Sequence, residues 1–200
     1  MIHTLLSSYR SVIALNSKEI QTIPIRSGVP VIAADGAACW IKADYVVGDG
    51  DSFKGRNLIL MPDQNQTDFE KCITFATKNR YLPALIIGMN GGEIDHVFGN
   101  MQVFLKYVNK GSLFFLDGSA GQFKIGIGLE KGTFRTQIRP EATVSLFSFG
   151  LCELTTEGLV WELTNERLVP NGLLALRNRA KGNSMTFHVS KGKALAVLDV

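Results

Sequence analysis

One pattern repeated along the first half of the chain constrains its fold more than any other feature: short aliphatic runs that stop at glycine and a polar or acidic residue. Val31-Ile32-Ala33-Ala34 ends at Asp35-Gly36, and Tyr45-Val46-Val47 ends at Gly48-Asp49-Gly50-Asp51-Ser52. Asn57 to Met61 is followed by Pro62-Asp63-Gln64, and Leu82 to Gly88 by Gly91-Gly92-Glu93-Ile94-Asp95-His96. Runs of this length between turn formers read as strands buried on both faces. A sheet of parallel strands brings their carboxyl ends to one rim, so the recurring aspartates are expected together there.

Between these runs the period changes. Thr67-Asp68-Phe69-Glu70 has the form of a capping box, and Phe69, Cys72, Ile73 and Ala76 follow at helical spacing, which predicts a helix to about Arg80. Ile94, Val97, Met101, Phe104, Leu105 and Val108 predict a second helix. Gly36 to Ala43 is alanine-rich and reads as a short helix, while Ser11 to Leu15 and Leu113 to Asp117 read as further strands. Residues 1–117 are therefore expected to form an α/β domain, a doubly wound and mostly parallel sheet covered on both faces.

After Asp117 no helix-length periodicity remains. Phe123–Ile127, Thr133–Ile138, Thr143–Phe147, Leu159–Leu163, Met185–Val189 and Ala194–Leu198 are short runs separated by Gly, Asn or Pro, which predicts a small antiparallel β-sandwich domain over 118–200.

The totals exclude several classes. Apolar runs of about five to seven residues fall far short of the ~20 needed to span a bilayer, and polar residues interrupt Met1 to Ile20, so neither a membrane anchor nor a signal peptide is expected. A net charge of +3, with only Arg177, Arg179 and Lys181 clustered, gives no nucleic-acid surface. Cys39, Cys72 and Cys152 are odd in number, far apart and in apolar surroundings; they read as buried free thiols of a cytoplasmic protein.

Asp49 and Asp51, at i and i+2 around a glycine, suit a single hard cation, and magnesium fits carboxylates unaccompanied by clustered His or Cys. The same five residues also suit an Asx turn. Asp68 adds a third oxygen or serves the dipole of its helix. Gly88, Gly91 and Gly92 offer backbone without side chains for phosphate. Neither a Walker loop, a dinucleotide fingerprint nor a nucleophile elbow is present, and of His3, His96 and His188 only His96 lies among the motifs, as a cap or a site residue.

Taken in order, Ala34-Asp35-Gly36, Gly48 to Ser52, Asp63-Gln64 with Thr67-Asp68 and Lys71, Gly91 to His96 with Asn100, and Gly158-Leu159-Val160-Trp161 resemble the thiamine pyrophosphokinase family from about residue 31 onward. The resemblance implies transfer of an intact diphosphate from ATP to the hydroxyl of thiamine, giving thiamine diphosphate and AMP. It implies Mg²⁺ on Asp49, Asp51 and Asp68, with one of these carboxylates as a candidate proton acceptor. Gln64, Thr67 and Lys71 would lie near the phosphates, Asp95, His96 and Asn100 would help shape the nucleotide and thiamine sites, and Asp35, Ser52, Gly88, Gly91, Gly92, Arg177 and Asn178 complete the expected binding residues. It also implies a homodimer whose substrate lies between the α/β domain of one subunit and the β domain of the other.

Departures from the family pattern accompany it. Glu93 stands where the family usually has Arg, a reversal of charge that Arg177 or Lys71 would have to offset. Ala175-Leu176-Arg177-Asn178 replaces Ser-x-Ser-Asn, keeping only the Asn, and Ala194 to Leu198 lacks the Trp that some members stack on thiamine. Trp161 reads instead as a core residue of a hairpin. The acceptor therefore stays open between thiamine and another heteroaromatic primary alcohol such as a hydroxymethylpterin, and a nucleotide- or thiamine-binding module without turnover is the remaining alternative.

Overall fold

The structure, a computed structural model, describes residues 6–23, 25–108, 113–119 and 122–199. The opening residues 1–5, with His3, lie outside it. Six parallel strands form the first half of the sheet: β1 (Ser11–Ala14), β2 (Val31–Ala34), β3 (Tyr45–Gly48), β4 (Leu58–Leu60), β5 (Ala84–Ile87) and β6 (Leu113–Ser119). Their order is β4-β3-β2-β1-β5-β6. The chain therefore builds outward from β1 to one edge, then returns to β1's other side, and the loops after β1 and β5 diverge at that reversal.

Successive side chains of each strand serve two cores. Ile13, Leu15, Ile32, Ala34, Val47 and Ile86 face the helices, and Val12, Ala14, Ala33, Val46, Leu85 and Ile87 face the opposite layer. Both faces are apolar, as the uninterrupted runs require. Helix α1 (Asp68–Lys78) is closed at its start by Thr67, whose Oγ1 accepts from Glu70 N at 3.2 Å while Glu70 Oε2 accepts from Thr67 N at 3.0 Å. It buries Phe69, Cys72, Ile73 and Ala76. Helix α2 (Ile94–Tyr107) buries Val103, Phe104 and Leu105, with the Phe104 ring edge-on to Phe115 at 5.3 Å. Filling such sites stabilises by about 1.5–3 kcal/mol per large side chain.

The predicted helix after Asp35 is only a five-residue 3-10 turn, Asp35–Cys39. Its alanines favour helix, but Trp40 closes the turn on Ala37 O before an α-helix propagates.

Beyond β6 the strands turn antiparallel: β7 (Gln122–Gln137), β8 (Thr143–Phe147), β9 (Cys152–Glu157), β10 (Glu166–Leu168), β11 (Ala175–Arg179) and β12 (Ser184–Asp199). β7 pairs with β6, so the sheet is continuous from the parallel to the antiparallel half. Phe123–Ile127 and Thr133–Ile138 fuse into β7 except for Ile138, and Met185–Val189 with Ala194–Leu198 into β12, because each strand runs through its glycines against the other. A register shift between Val189 and Lys193 divides β12: Thr186–Lys191 pairs with β9, and Leu195–Leu198 with β8. One bulged ribbon thus feeds two sheet segments, as at the corner of a sandwich.

Leu159–Leu163, expected as a strand, is a turn with a single bridge from Leu159 to Ala180. Glu162 Oε1 accepts from Gly158 N and Leu159 N, folding the segment back on itself. Trp161 points outward, 60% exposed, and is not a core residue. Asn178 clasps its backbone at both N–H (3.2 Å) and C=O (2.7 Å), and Arg179 lies over its ring. Cys72 and Cys152 are buried as expected, but Cys39 is exposed at the end of its short turn.

Candidate functional site

The carboxyl ends of the strands meet at a cleft of about 440 Å³. One wall comes from the loops after β1, β2 and β3 (Asn16, Gly36, Asp51, Ser52), the other from Thr67 and Asp68 at the start of α1 and from Asp95, His96 and Asn100 on α2. Gly91 closes the floor. A Cβ there would stand 1.9 Å from Ser17 Cβ, so only glycine lets the loop after β5 lie on the loop after β1.

Asp35, Asp49 and Asp51 each present a carboxylate oxygen within 4.8 Å of the other two. Their environments differ. Asp35 is 1% exposed and has φ +25°; its Oδ2 accepts from Ser52 N at 3.2 Å, and its Oδ1 is buried without a partner. Burial first, then the neighbouring Asp51 and Asp68 charges, raise its carboxyl above the ordinary range against the pull of Ser52 N–H. A Cβ on Gly48 would lie 2.6 Å from Asp35 Cβ, so the glycine before Asp49 also makes room for Asp35. Asp49 Oδ2 accepts from Gln64 Nε2 at 2.9 Å, which with the Asp51 N–H holds its carboxyl low. Asp51 Oδ1 accepts from Ser52 Oγ at 2.8 Å.

Such a set of hard oxygens, three from carboxylates and one of them desolvated and orphaned, suits a divalent cation such as Mg²⁺. Asp68 is placed differently. It lines the cleft, but its Oδ1 is held at 3.0 Å by Lys71 Nζ, and Lys71 is buried to 2% exposure. The charges of both Asp68 and Lys71 reach the cluster, raising Asp35 and lowering Asp49 respectively.

Of the residues singled out in the sequence, Asp51, Ser52, Thr67, Asp68, Gly91, Asp95, His96 and Asn100 line the cleft. Asp35, Asp49 and Gln64 join through the carboxylate cluster and Lys71 through Asp68. Gly88 is buried, and Gly92 is exposed with His96 Nδ1 near its Cα face. Asp95 Oδ1 accepts from His96 N at 2.8 Å, and Asn100 Nδ2 donates to Met89 O at 3.4 Å. Glu93 is exposed at the start of α2, without a side-chain capping bond. Arg177 lies elsewhere, on a second cavity of about 850 Å³ with Asn90, Lys124 and Arg139, and Asn178 is spent on Trp161. Asn16, which lines the cleft and accepts from Trp40 Nε1 at 2.7 Å, was missed. Its signal was present: it too follows an apolar run at a strand end.

Two family models match the chain. A family model described as thiamin pyrophosphokinase, catalytic domain, matches residues 27–116, and one described as thiamin pyrophosphokinase, vitamin B1 binding domain, matches residues 133–194. Thiamine pyrophosphokinase 1 of Oryza sativa subsp. japonica is 28% identical over 161 residues, 68% of this chain and 59% of the relative. Thiamine pyrophosphokinase 1 of Arabidopsis thaliana is 28% identical over 169 residues, 72% of this chain and 61% of the relative. The chain thus spans about three fifths of the length of these plant relatives. Among solved structures, thiamin pyrophosphokinase from Candida albicans superposes with a TM-score of 0.75 at 16% identity, covering 98% of this chain and 90% of that one. That from Bacillus subtilis gives 0.71 at 19% identity, covering 95% and 99%. With two successive domain models matched over about three quarters of its length, the chain belongs to the thiamin pyrophosphokinase family.

Proposed function

We propose that the protein transfers the terminal diphosphate of ATP to the hydroxyl of thiamine, yielding thiamine diphosphate and AMP. The observation that carries this reading is the Asp35, Asp49, Asp51 cluster beside a cleft at the sheet's reversal point, with Asp35 Oδ1 buried and unpartnered. Asp49, Asp51 and Asp68, with Asp35 beside the first two, would hold Mg²⁺, which would supply charge neutralisation of the triphosphate. The chain's own residues do the rest. The Gly91 loop admits the phosphates close to backbone, Lys71 fixes Asp68, and Gln64 fixes Asp49. Of the three proposed metal ligands, Asp68 is the one we assign to accept the hydroxyl proton, since it alone of them stands outside the three-carboxylate cluster while lining the cleft.

We assign nucleotide and metal to residues 1–117 and the acceptor to residues 118–200, acting in a homodimer in the cytoplasm. Among the described residues no helix is long and apolar enough to cross a membrane. Trp161, Leu174 and Leu176 are exposed on the β half, and Ile94 and Phe98 on α2, which supports a partner subunit covering both. In that arrangement Arg177 serves the partner's cleft, and Asn178 acts there only by holding the Trp161 turn.

The test is AMP release from Mg²⁺-ATP with thiamine, a hydroxymethylpterin or no acceptor. Thiamine-dependent AMP is expected; AMP only with the pterin keeps the mechanism and changes the substrate, and no AMP with either overturns the reading. Asp49→Ala and Asp51→Ala should remove turnover without lowering the melting transition, since both side chains lie in a loop. Normal turnover in either variant would refute its metal role.

A further inference from the structure

The capping box of α1 is unusual in being buried and shared. Glu70 is 6% exposed, and both its oxygens are occupied. Oε2 accepts from Thr67 N at 3.0 Å, whereas Oε1 accepts from Lys106 Nζ at 2.7 Å and from Tyr107 Oη at 3.3 Å, both at the end of α2. A cap alone needs only the first of these bonds.

The end of α2 is itself held from the β half of the chain. Lys193, at the bulge of β12, places its Nζ 3.1 Å from Leu105 O, 3.1 Å from Lys106 O and 3.3 Å from Val108 O. These are carbonyls left unpaired where a helix stops, and an ammonium there meets the negative end of the helix dipole. The path is continuous: Lys193, the last turn of α2, Lys106 and Tyr107, Glu70, and then Thr67 with Asp68 on the cleft wall. The same helix carries Asp95, His96 and Asn100 on that wall. The wall built from α1 and α2 is therefore referred to one lysine of the β half.

We infer that Lys193 and Glu70 are positioning residues, which join the β half to the first turn of α1 and fix Thr67 and Asp68 against the carboxylate cluster. This rests on the proposed function for the meaning of Asp68, but the mechanical claim stands on the bonds alone. Groups that orient a ligating carboxylate without touching the ion typically alter metal affinity by about 10–100-fold when removed. Lys106 is largely exposed, which places the expected loss at the lower end, about tenfold.

Two variants separate positioning from simple stabilisation. Glu70→Gln keeps an acceptor for Thr67 N, so the cap survives, but sets an amide against Lys106. Lys193→Met removes the ammonium and keeps most of the side chain's volume. In the full chain, amide exchange at residues 67–71 is expected to speed up in both variants. Mn²⁺ affinity, read by electron paramagnetic resonance without nucleotide, is expected to fall about tenfold, and Lys193→Arg should recover both. The double variant should lose little more than either single one, since both interrupt one path. Exchange that quickens in Lys193→Met only at the last turn of α2, with residues 67–71 unchanged, would overturn the inference. A wild-type chain that binds no Mn²⁺ would instead refute the metal reading, and exchange at 67–71 would still decide the relay.

Discussion

Replacing Asp35 with Asn should make the metal-free protein more stable and the cation-loaded protein less responsive. Asn tolerates the positive φ of this position and matches Asp in size, so the tight packing on Gly48 survives. What changes is charge. Two carboxylates at 4.8 Å, the widest separation in the cluster, would repel by about 3.5 kcal/mol at an effective dielectric of 20. Asp51 is exposed and Asp49 half-buried, so water screens part of this and about 2 kcal/mol of relief remains. For a chain of this size that is about 4–8 °C in Tm.

The pH dependence follows from the direction of the Asp35 shift. Its folded-state carboxyl lies above its unfolded value of 3.8, so its contribution to stability is complete below that value and is lost as pH rises through the folded one. The advantage of Asp35→Asn should therefore vanish near pH 3.5 and be full at neutral pH. Thermal melts of both proteins at these two pH values, with and without 10 mM Mg²⁺, test this. Wild type should gain stability with Mg²⁺ and the variant markedly less. A variant that melts below wild type at neutral pH with an undiminished Mg²⁺ response would show that Asp35 serves only as acceptor for Ser52 N–H.

Two further outcomes are expected. Asp199 is pushed up by burial but held lower overall by Lys124 and Thr143, so its stabilisation is present above about pH 4 and lost as pH falls through the depressed folded value. Asp199→Asn should cost about 1 kcal/mol at neutral pH, with the difference closing in acid; equal urea midpoints at pH 7 would refute it. An aromatic disulfide reagent at pH 8 should titrate one thiol in the native protein, Cys39, and three after unfolding. Cys72 and Cys152 are buried, with Cys152 raised to about 11, and rapid native labelling of either would contradict the packing.

The sequence was most informative where a local rule acted alone. Val31–Ala34 and Tyr45–Val47 are buried strands because uninterrupted apolar runs suit a sheet covered on both faces, and Thr67 with Glu70 states its own helix start. It was least informative in the β half. There Leu159–Leu163 has the composition of a strand, but Glu162 reaches back to Gly158 N and Leu159 N and makes it a turn, leaving Trp161 outside. Cys152–Glu157 and Glu166–Leu168, polar on one face, gave little periodic signal yet pair with each other and, through β9, with β12.

The same distinction runs through the site. From residue order alone came the aspartates, the glycines between them and their gathering at one rim, since parallel strands have no other place to put their carboxyl ends. The tertiary structure decided how those aspartates are grouped: Asp35 with Asp49 and Asp51, and Asp68 with Lys71. It also decided that Lys193, which no motif marks, reaches the helix that forms one wall of the cleft. Burial, distance and the unpaired state of Asp35 Oδ1 depend on residues far apart in the chain, and no local pattern encodes them.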